Sequence, residues 1–297
     1  MTYENVEIVL DGAALLGEGP SWSASDGRLL WVDIERHELH RLDPGAGSDD
    51  CYDLGARVSF ALATDGEDIV VGLPTGVSRF ADGTLDPEPL VPIERERTGS
   101  RLNDGKCDSI GRIWAGTISQ DLRPGQGSLY RIDSELRAER LLTGLSVSNG
   151  LGWSPCGRWF YLIDSPTFGV EVHDVDDDGS LRNRRRLIDI DPAAGKPDGM
   201  TVDADGRLWI ALWGSGTVQS FRPDGTPDIA VAVPTSNVTS CTFGGDALDT
   251  LYVTSARLRL TDAQLHDQPH AGAVFAINAG VVGLPTTPFS GQEIVHA

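Results

Sequence analysis

Four side chains with oxygen donors occur at matching places in this sequence. Three lie eight residues before a glycine that opens an apolar run and one lies nine residues before such a glycine: Asn103 before Gly111, Asn149 before Gly157, Asp198 before Gly206 and Glu18 before Gly27. Carboxylate and amide oxygens are the ligands that hard cations such as Ca²⁺, Mg²⁺ and Mn²⁺ prefer. If these positions are equivalent places in a repeated fold, they predict one cation site built from four segments.

Glycine follows three of the four donors directly and the fourth after one further residue. The pairs are Glu18-Gly19, Asn149-Gly150 and Asp198-Gly199, while Asn103 is followed by Asp104-Gly105. Asn-Gly and Asp-Gly are also ordinary turn dipeptides, but turn residues have no reason to keep register with a strand that begins eight residues later. Buried carboxylates without a cation would carry uncompensated charge. The pattern therefore favours a cation site, and the lack of histidine at these positions argues against a zinc centre of imidazoles.

A repeated unit must place these residues. Each copy has a turn followed by an apolar, β-branched or aromatic run, as in residues 111–114 (GRIW) and 206–210 (GRLWI). The turn positions 27, 66, 111, 157, 206 and 249 are separated by 39, 45, 46, 49 and 43 residues, which is typical of a four-stranded blade. The repeats predict an all-β fold, a six-bladed β-propeller. We expect a strand near Val6 to Leu10 to close the ring against residues around Val274 to Ile277, and equal offsets then put the four donors at equal heights on the ring axis.

Composition restricts the partners and the location. The 24 Lys and Arg residues against 44 Asp and Glu residues give a net charge of −20, which would repel nucleic acid and anionic membranes. No linker divides the chain, so we expect one domain over residues 1–297. The four cysteines are scattered and are expected to be free thiols, and the acidic N-terminus indicates a cytoplasmic protein. The sequence leaves open whether the protein is a monomer or a small homo-oligomer.

Other motifs do not account for a function. The acidic run at residues 174–179 (DVDDDG) begins like an EF-hand loop, but its twelfth position is Arg185, so we interpret it as an acidic hairpin. The basic residues 182–186 that follow it belong to the same solvated hairpin. There is no Gly-x-Ser-x-Gly elbow. The six histidines show no metal-ligand spacing and are interpreted as surface or packing residues: His37, His40, His173, His266, His270 and His296.

Five segments in order resemble the SMP-30/gluconolactonase family, which includes regucalcin and the bacterial sugar lactonases. The segments are residues 16–22 (LGEGPSW), 101–106 (RLNDGK), 148–153 (SNGLGW), 197–200 (PDGM) and 239–245 (TSCTFGG). The similarity extends from about residue 5 to about residue 285. It implies a six-bladed propeller with one divalent ion.

The resemblance also implies roles for individual residues. The ion would be bound by Glu18, Asn149 and Asp198, while Arg101 and Asn103 would contact a sugar lactone. A further acidic contact of regucalcin-like members aligns with Asp121, which has the shorter acidic side chain. Members differ in the loop from Ser119 to Gly127, so the identity of the substrate does not carry over.

These residues lead to a hypothesis of metal-dependent lactone hydrolysis. The ion would polarise the ester carbonyl and Asp198 would act as general base toward water, with Asp104 as the alternative base. Ca²⁺ is the favoured cofactor, and Zn²⁺, Mn²⁺, Mg²⁺ and Fe²⁺ are alternatives. A non-catalytic calcium-binding or regulatory propeller remains a second hypothesis, because fold does not fix function. Hydrolysis of another lactone or of a phosphotriester is a third.

Overall fold

In a computed structural model of the chain, residues 6–81, 84 and 86–291 are described. Their regular structure is almost entirely β-strand, arranged as six separate four-stranded sheets. The six-bladed propeller predicted from the repeats is therefore confirmed. The ends of the expected domain, residues 1–5 and 292–297, lie outside the described residues, as does His296, and the single-domain assignment to 1–297 stays a prediction.

The first three blades each follow the chain without interruption. Blade 1 consists of β2 (Gly17–Ser23), β3 (Arg28–Asp33), β4 (Glu38–Asp43) and β5 (Ser48–Asp53). Blade 2 consists of β6 (Ala61–Ala63), β7 (Ile69–Leu73), β8 (Gly76–Phe80) and β9 (Glu88–Pro92). Blade 3 consists of β10 (Ser100–Cys107), β11 (Ile113–Ser119), β12 (Gly127–Ile132) and β13 (Ala138–Leu145).

The last three blades include the closure of the ring. Blade 4 consists of β14 (Ser148–Trp153), β15 (Trp159–Asp164), β16 (Gly169–Val175) and β17 (Leu181–Asp189). Blade 5 consists of β18 (Lys196–Val202), β19 (Leu208–Trp213), β20 (Thr217–Phe221) and β21 (Pro227–Ala232). Blade 6 combines β22 (Val238–Gly244), β23 (Thr250–Ser255) and β24 (Val274–Asn278) with β1 (Val6–Leu10).

The N-terminal strand completes the last blade, as the sequence predicts. β1 runs antiparallel to β24, with Val6 opposite Ile277 and Ile8 opposite Phe275. The first and the last strand of the described chain thus share one sheet. The pairing covers the free edge of β24, an exposed strand edge being a site of unwanted pairing, and leaves β1 as the outer strand of blade 6.

Helical structure is sparse in the described residues. Two single 3₁₀ turns occupy Ser165–Thr167 and Pro192–Ala194, and one short helix, α1, spans Asp262–Asp267 between β23 and β24. Thr261 forms a capping box with Gln264 at the start of α1. No helix in the described part of the chain is long and apolar enough to cross a membrane.

The blades are held together by six apolar clusters, and each cluster is shared by two neighbouring blades. One example joins Trp114 and Leu129 of blade 3 to Phe160 and Leu162 of blade 4. The others join blades 1 and 2, 2 and 3, 4 and 5, 5 and 6, and 6 and 1. Every blade therefore buries both of its faces, and the hydrophobic effect favours ring closure.

The predicted turns join the first and second strands of the blades. At Gly111, φ is 77°, and an added Cβ atom would lie 2.4 Å from the Ser290 hydroxyl oxygen. Glycine is required there for both conformation and space. The acidic run lies in the hairpin between β16 and β17, where ion pairs join Arg185 to Asp174 and Arg184 to Glu171 at 2.8 Å. The interpretation as a solvated hairpin is confirmed.

Candidate metal and substrate site

The first strand of each blade borders the centre of the ring. These strands contact one another around the axis: β2 with β6 and β22, β10 with β6 and β14, and β18 with β14 and β22. Side chains that point inward from them therefore meet, although they are far apart in sequence. The four predicted donors all lie on such strands, in blades 1, 3, 4 and 5.

Each donor lies where the pairing of the first strand with the second is interrupted. The register shifts occur between Glu18 and Ser21, Leu102 and Gly105, Ser148 and Leu151, and Pro197 and Met200. A bulge re-aims the side chains of the unpaired residues. The matching offsets in the sequence thus coincide with a repeated irregularity that frees Asn103, Asn149 and Asp198 from the ladder.

Asn149 and Asp198 are in direct contact. The Asn149 side chain is 5% exposed, and its Nδ2 donates hydrogen bonds to Asp198 Oδ1 and, at 3.1 Å, to Ser165 Oγ. Among the described residues, the hydrogen bonds of this side chain all use its nitrogen. Its amide oxygen is left available to bind a cation.

Three carboxyl groups share this part of the channel. Burial raises the pKa of Glu18 well above its ordinary value, and the charges of Asp198 and Asp104 raise it further. Burial also raises the pKa of Asp198 to about 7, an effect that Lys196 and the Asn149 hydrogen bond oppose. The pKa of Asp104 is raised by burial and partly restored by Lys106. The three acids disfavour one another's charged forms.

This donor set fits a hard divalent cation. Asp104 is 6% exposed, and its Oδ1 accepts a hydrogen bond from the Gly105 amide at 2.7 Å. Its Oδ2 is buried and has no hydrogen-bond partner among the described residues. A cation near Glu18, Asn149 and Asp198 would offset both the burial and the mutual repulsion of the acids.

Arg101 and Asn103 form a second unit beside the acids. Arg101 Nη1 donates to the Leu102 carbonyl at 2.8 Å and to Asn103 Oδ1 at 3.1 Å, while Asn103 Nδ2 donates to the Ser148 carbonyl at 2.9 Å. Burial lowers the pKa of Arg101 to about 10, Arg57 lowers it further, and the negative charges of Glu35 and Glu18 oppose both effects. The negative charge of Glu18 therefore acts on the Arg101 guanidinium and raises its pKa.

Asp121 lies apart from this unit. Its side chain is exposed, accepts a hydrogen bond from Ser119 and is paired with Arg123 Nε at 2.6 Å. It lines a cavity of about 260 Å³ between residues 97–100 and 119–126. Arg101 and Asn103 do not line that cavity. In this structure Asp121 therefore does not share a cavity with Arg101 and Asn103.

Three residues that support the acids have no role predicted from the sequence. Lys106 Nζ donates to the Met200 carbonyl and lowers the pKa of Asp104, Lys196 lowers the pKa of Asp198, and Ser165 accepts the second Asn149 hydrogen bond. Strand alternation could have identified the lysines, because Lys106 follows Asp104 by two residues and Lys196 precedes Asp198 by two. No local pattern points to Ser165.

A second cavity, of about 450 Å³, occupies the channel beyond the acids. Asp104 and Lys106 line it, together with the turn residues 154–157 and the segment 284–287. Glu18, Asn149 and Asp198 do not line it. Asp104 thus borders both the acidic cluster and this space.

The fold and this cluster define a class of protein. Residues 16–257 match the SMP-30/Gluconolactonase/LRE-like region, and the chain belongs to that family. The family resemblance drawn from the five sequence segments is confirmed.

Relatives of this chain match it over nearly its whole length. The 6-deoxy-6-sulfogluconolactonase of Pseudomonas putida is 36% identical, covering 97% of this chain and 99% of the relative. The L-arabinolactonase of Azospirillum brasilense is 35% identical, covering 96% and 95%. The crystal structure of a calcium-binding protein, regucalcin, from Agrobacterium tumefaciens superposes with a TM-score of 0.91 at 27% identity, covering 95% of this chain and 96% of that one.

Proposed function

We propose that this lactonase is a metal-dependent hydrolase that opens a sugar lactone to its aldonic acid. The observation that carries the proposal is the hydrogen bond between Asn149 and Asp198, beside Glu18, whose pKa is raised by its burial and by the charge of Asp198 and lowered by that of Arg101. Relatives named as a 6-deoxy-6-sulfogluconolactonase and an L-arabinolactonase support the substrate class. A structural neighbour described as calcium-binding supports the cofactor.

Glu18, Asn149 and Asp198 would hold one divalent ion, with Ca²⁺ favoured because the donors are all oxygens. When bound, such an ion supplies Lewis-acid polarisation of the ester carbonyl. The side chains must hold their positions for this, and Ser165 fixes Asn149 through its hydroxyl. Lys196 and Lys106 would balance part of the remaining negative charge.

Asp198 would accept the proton of the attacking water. Its Oδ1 already accepts a hydrogen bond from Asn149, which leaves Oδ2 for the proton. Asp104 is the alternative base: its Oδ1 likewise accepts a hydrogen bond, from the Gly105 amide, and its Oδ2 has no hydrogen-bond partner among the described residues. Asp198 then returns the proton to the alkoxide that leaves when the ring opens.

Arg101 and Asn103 would orient the lactone. Arg101 presents a planar fork of donors, and Asn103 Oδ1 fixes one of its nitrogens. Asp121 is proposed as an outer contact for a sugar hydroxyl. To reach it, the Asp121 side chain would have to leave Ser119 and Arg123.

Replacement of Arg101 by lysine separates recognition from chemistry. We expect Arg101→Lys to raise KM for a sugar lactone roughly 10- to 150-fold, since one lost hydrogen bond to a charged group is worth about 1.5–3 kcal/mol. A small unsubstituted lactone has no hydroxyls for the fork to bind, so its kinetics should hardly change. Steady-state assays on both substrates test this, with Arg137→Lys at the exposed β12–β13 turn as control. Equal losses on both lactones would make Arg101 a structural residue.

The function is tested with a panel of aldonolactones, assayed by acid release in chelator and in added Ca²⁺, Mn²⁺, Mg²⁺, Fe²⁺ or Zn²⁺. The proposal expects hydrolysis of at least one sugar lactone that stops in chelator and returns with metal. Hydrolysis that is fully retained in chelator contradicts the metal dependence. Activity on a phosphotriester alone would change the substrate class, and calcium binding without any hydrolysis would favour the regulatory propeller.

The cytoplasmic location stays a prediction.

A further inference from the structure

We propose a second metal site, of different chemistry, on the outer strands of blade 1. It is formed by Glu38 and His40 of β4 and Cys51 of β5, and it would bind Zn²⁺. One ligand atom from each of these side chains lies within 4.8 Å of the others. This inference does not depend on the proposed lactone hydrolysis.

Strand pairing brings the three residues to one face. β4 and β5 run antiparallel with His40 directly opposite Cys51, and Glu38 precedes His40 by two residues. Residues opposite each other, and residues two apart on one strand, share a side of the sheet. His40 and Cys51 are 11 residues apart in the sequence, so a search for short metal-binding spacings does not find this arrangement.

The distances between the three ligand atoms suit a tetrahedrally coordinated ion. His40 Nε2 lies 3.4 Å from Glu38 Oε2 and 3.8 Å from Cys51 Sγ. Ordinary zinc bond lengths of about 2.0–2.3 Å place tetrahedral nitrogen and oxygen ligands about 3.4 Å apart, and nitrogen and sulfur ligands about 3.6 Å apart. Small side-chain movements would therefore complete the site, with water in the fourth position.

The histidine is already oriented as a zinc ligand. His40 is 7% exposed, and its ring stacks on Trp31 with the centroids 3.8 Å apart. Its Nδ1 lies 2.6 Å from Asp49 Oδ2. A carboxylate on one ring nitrogen fixes the tautomer that presents the other nitrogen to a metal. With the proton on Nδ1, Nε2 would present its lone pair to Glu38 and Cys51.

In the described part of the chain, the carboxylate behind His40 makes no competing hydrogen bond through its second oxygen. Asp49 Oδ1 is buried without a hydrogen-bond partner among the described residues, so the carboxylate keeps its full capacity to polarise His40. Thiolate and imidazole together select zinc over calcium or magnesium, which prefer oxygen ligands. The two sites should therefore be loaded independently by different cations.

Cobalt is the probe for the first experiment, because a Co²⁺–thiolate bond gives a near-ultraviolet charge-transfer band that oxygen ligands do not give. The full chain is titrated with Co²⁺ in the presence of Ca²⁺, and Zn²⁺ is then added. We expect a band that saturates at one equivalent and is removed by Zn²⁺. Cys51→Ser should abolish the band, whereas Cys156→Ser, at the other exposed cysteine, should leave it unchanged. No band in the wild type, or a band that survives in Cys51→Ser, would overturn the proposal.

A milder variant guards against loss of fold. Asp49→Asn should keep the cobalt band but weaken Zn²⁺ affinity about 10- to 100-fold, as loss of a carboxylate behind a histidine ligand does. Circular dichroism checks that each variant folds. In parallel, Zn²⁺ should protect Cys51 from alkylation, read by mass spectrometry, and leave Cys156 reactive. Equal alkylation of Cys51 with and without Zn²⁺ would also refute the site.

Discussion

Asp198→Asn is expected to reduce lactone hydrolysis by at least about 100-fold at saturating metal, because the loss of a general base typically costs that much or more. Asparagine keeps the size of the side chain and its contact with Asn149. It cannot accept the proton of the attacking water. The measurement is kcat for the best sugar lactone, with the metal content of the variant determined in the same sample.

Two comparisons make this result specific. Asp246→Asn introduces the same chemical change on the exposed turn between β22 and β23 and should leave kcat unchanged. Asp104→Asn tests the alternative base and should cause a smaller loss than Asp198→Asn. Activity of the metal-loaded Asp198→Asn protein within about tenfold of wild type would exclude Asp198 as the base.

Metal is expected to raise the melting temperature of the protein by about 5–10 °C. An ion that binds only the folded state adds about 2.7 kcal/mol when free ion is 100 times its dissociation constant, and each kcal/mol raises Tm by about 2–4 °C in domains of about 150–250 residues. Glu18 and Asp198 come from blades 1 and 5, so the unfolded chain does not assemble the site. Thermal unfolding followed by circular dichroism, with chelator and with Ca²⁺, measures the shift.

Removal of one ligand charge at a time identifies the site. Glu18→Gln and Asp198→Asn should each reduce the metal-induced rise. Both should melt higher than wild type in chelator, because the charges of Asp198 and Asp104 repel that of Glu18 in the ring. Asp246→Asn again serves as the control and should show the wild-type response. A full metal response in both ligand variants would place the ion elsewhere.

Local features of the sequence were sufficient to predict the fold. Turn residues and strand alternation act over fewer than about ten residues, and here they recur six times with nearly constant spacing. The same regularity marked Glu18, Asn103, Asn149 and Asp198, since a repeated bulge keeps a constant distance from a repeated turn. Closure by β1 followed as well, because a ring of blades leaves one strand to be supplied from the other end.

Contacts between side chains of different strands and blades could not be predicted in this way. The hydrogen bond from Asn149 to Asp198 spans 49 residues, and that from Lys106 to the Met200 carbonyl spans 94. Such contacts depend on the tilt of the blades and on side-chain rotamers, which no short stretch of sequence specifies. The exposed position of Asp121, paired with Arg123, is also a product of loop conformation.

The cluster of Glu38, His40 and Cys51 shows most clearly the difference between what the sequence determines and what the tertiary structure determines. The sequence contains residues of the types that bind metals. Because the histidines show no metal-ligand spacing, it predicted only surface or packing roles for them. The register of β4 against β5 places His40 opposite Cys51, and a slip of one residue would put these side chains on opposite faces of the sheet. The sequence therefore determined the ring, and the equivalent strand positions of the four predicted donors, through local periodicity. Tertiary structure alone decided which distant side chains meet, because that depends on how complete strands and blades pack.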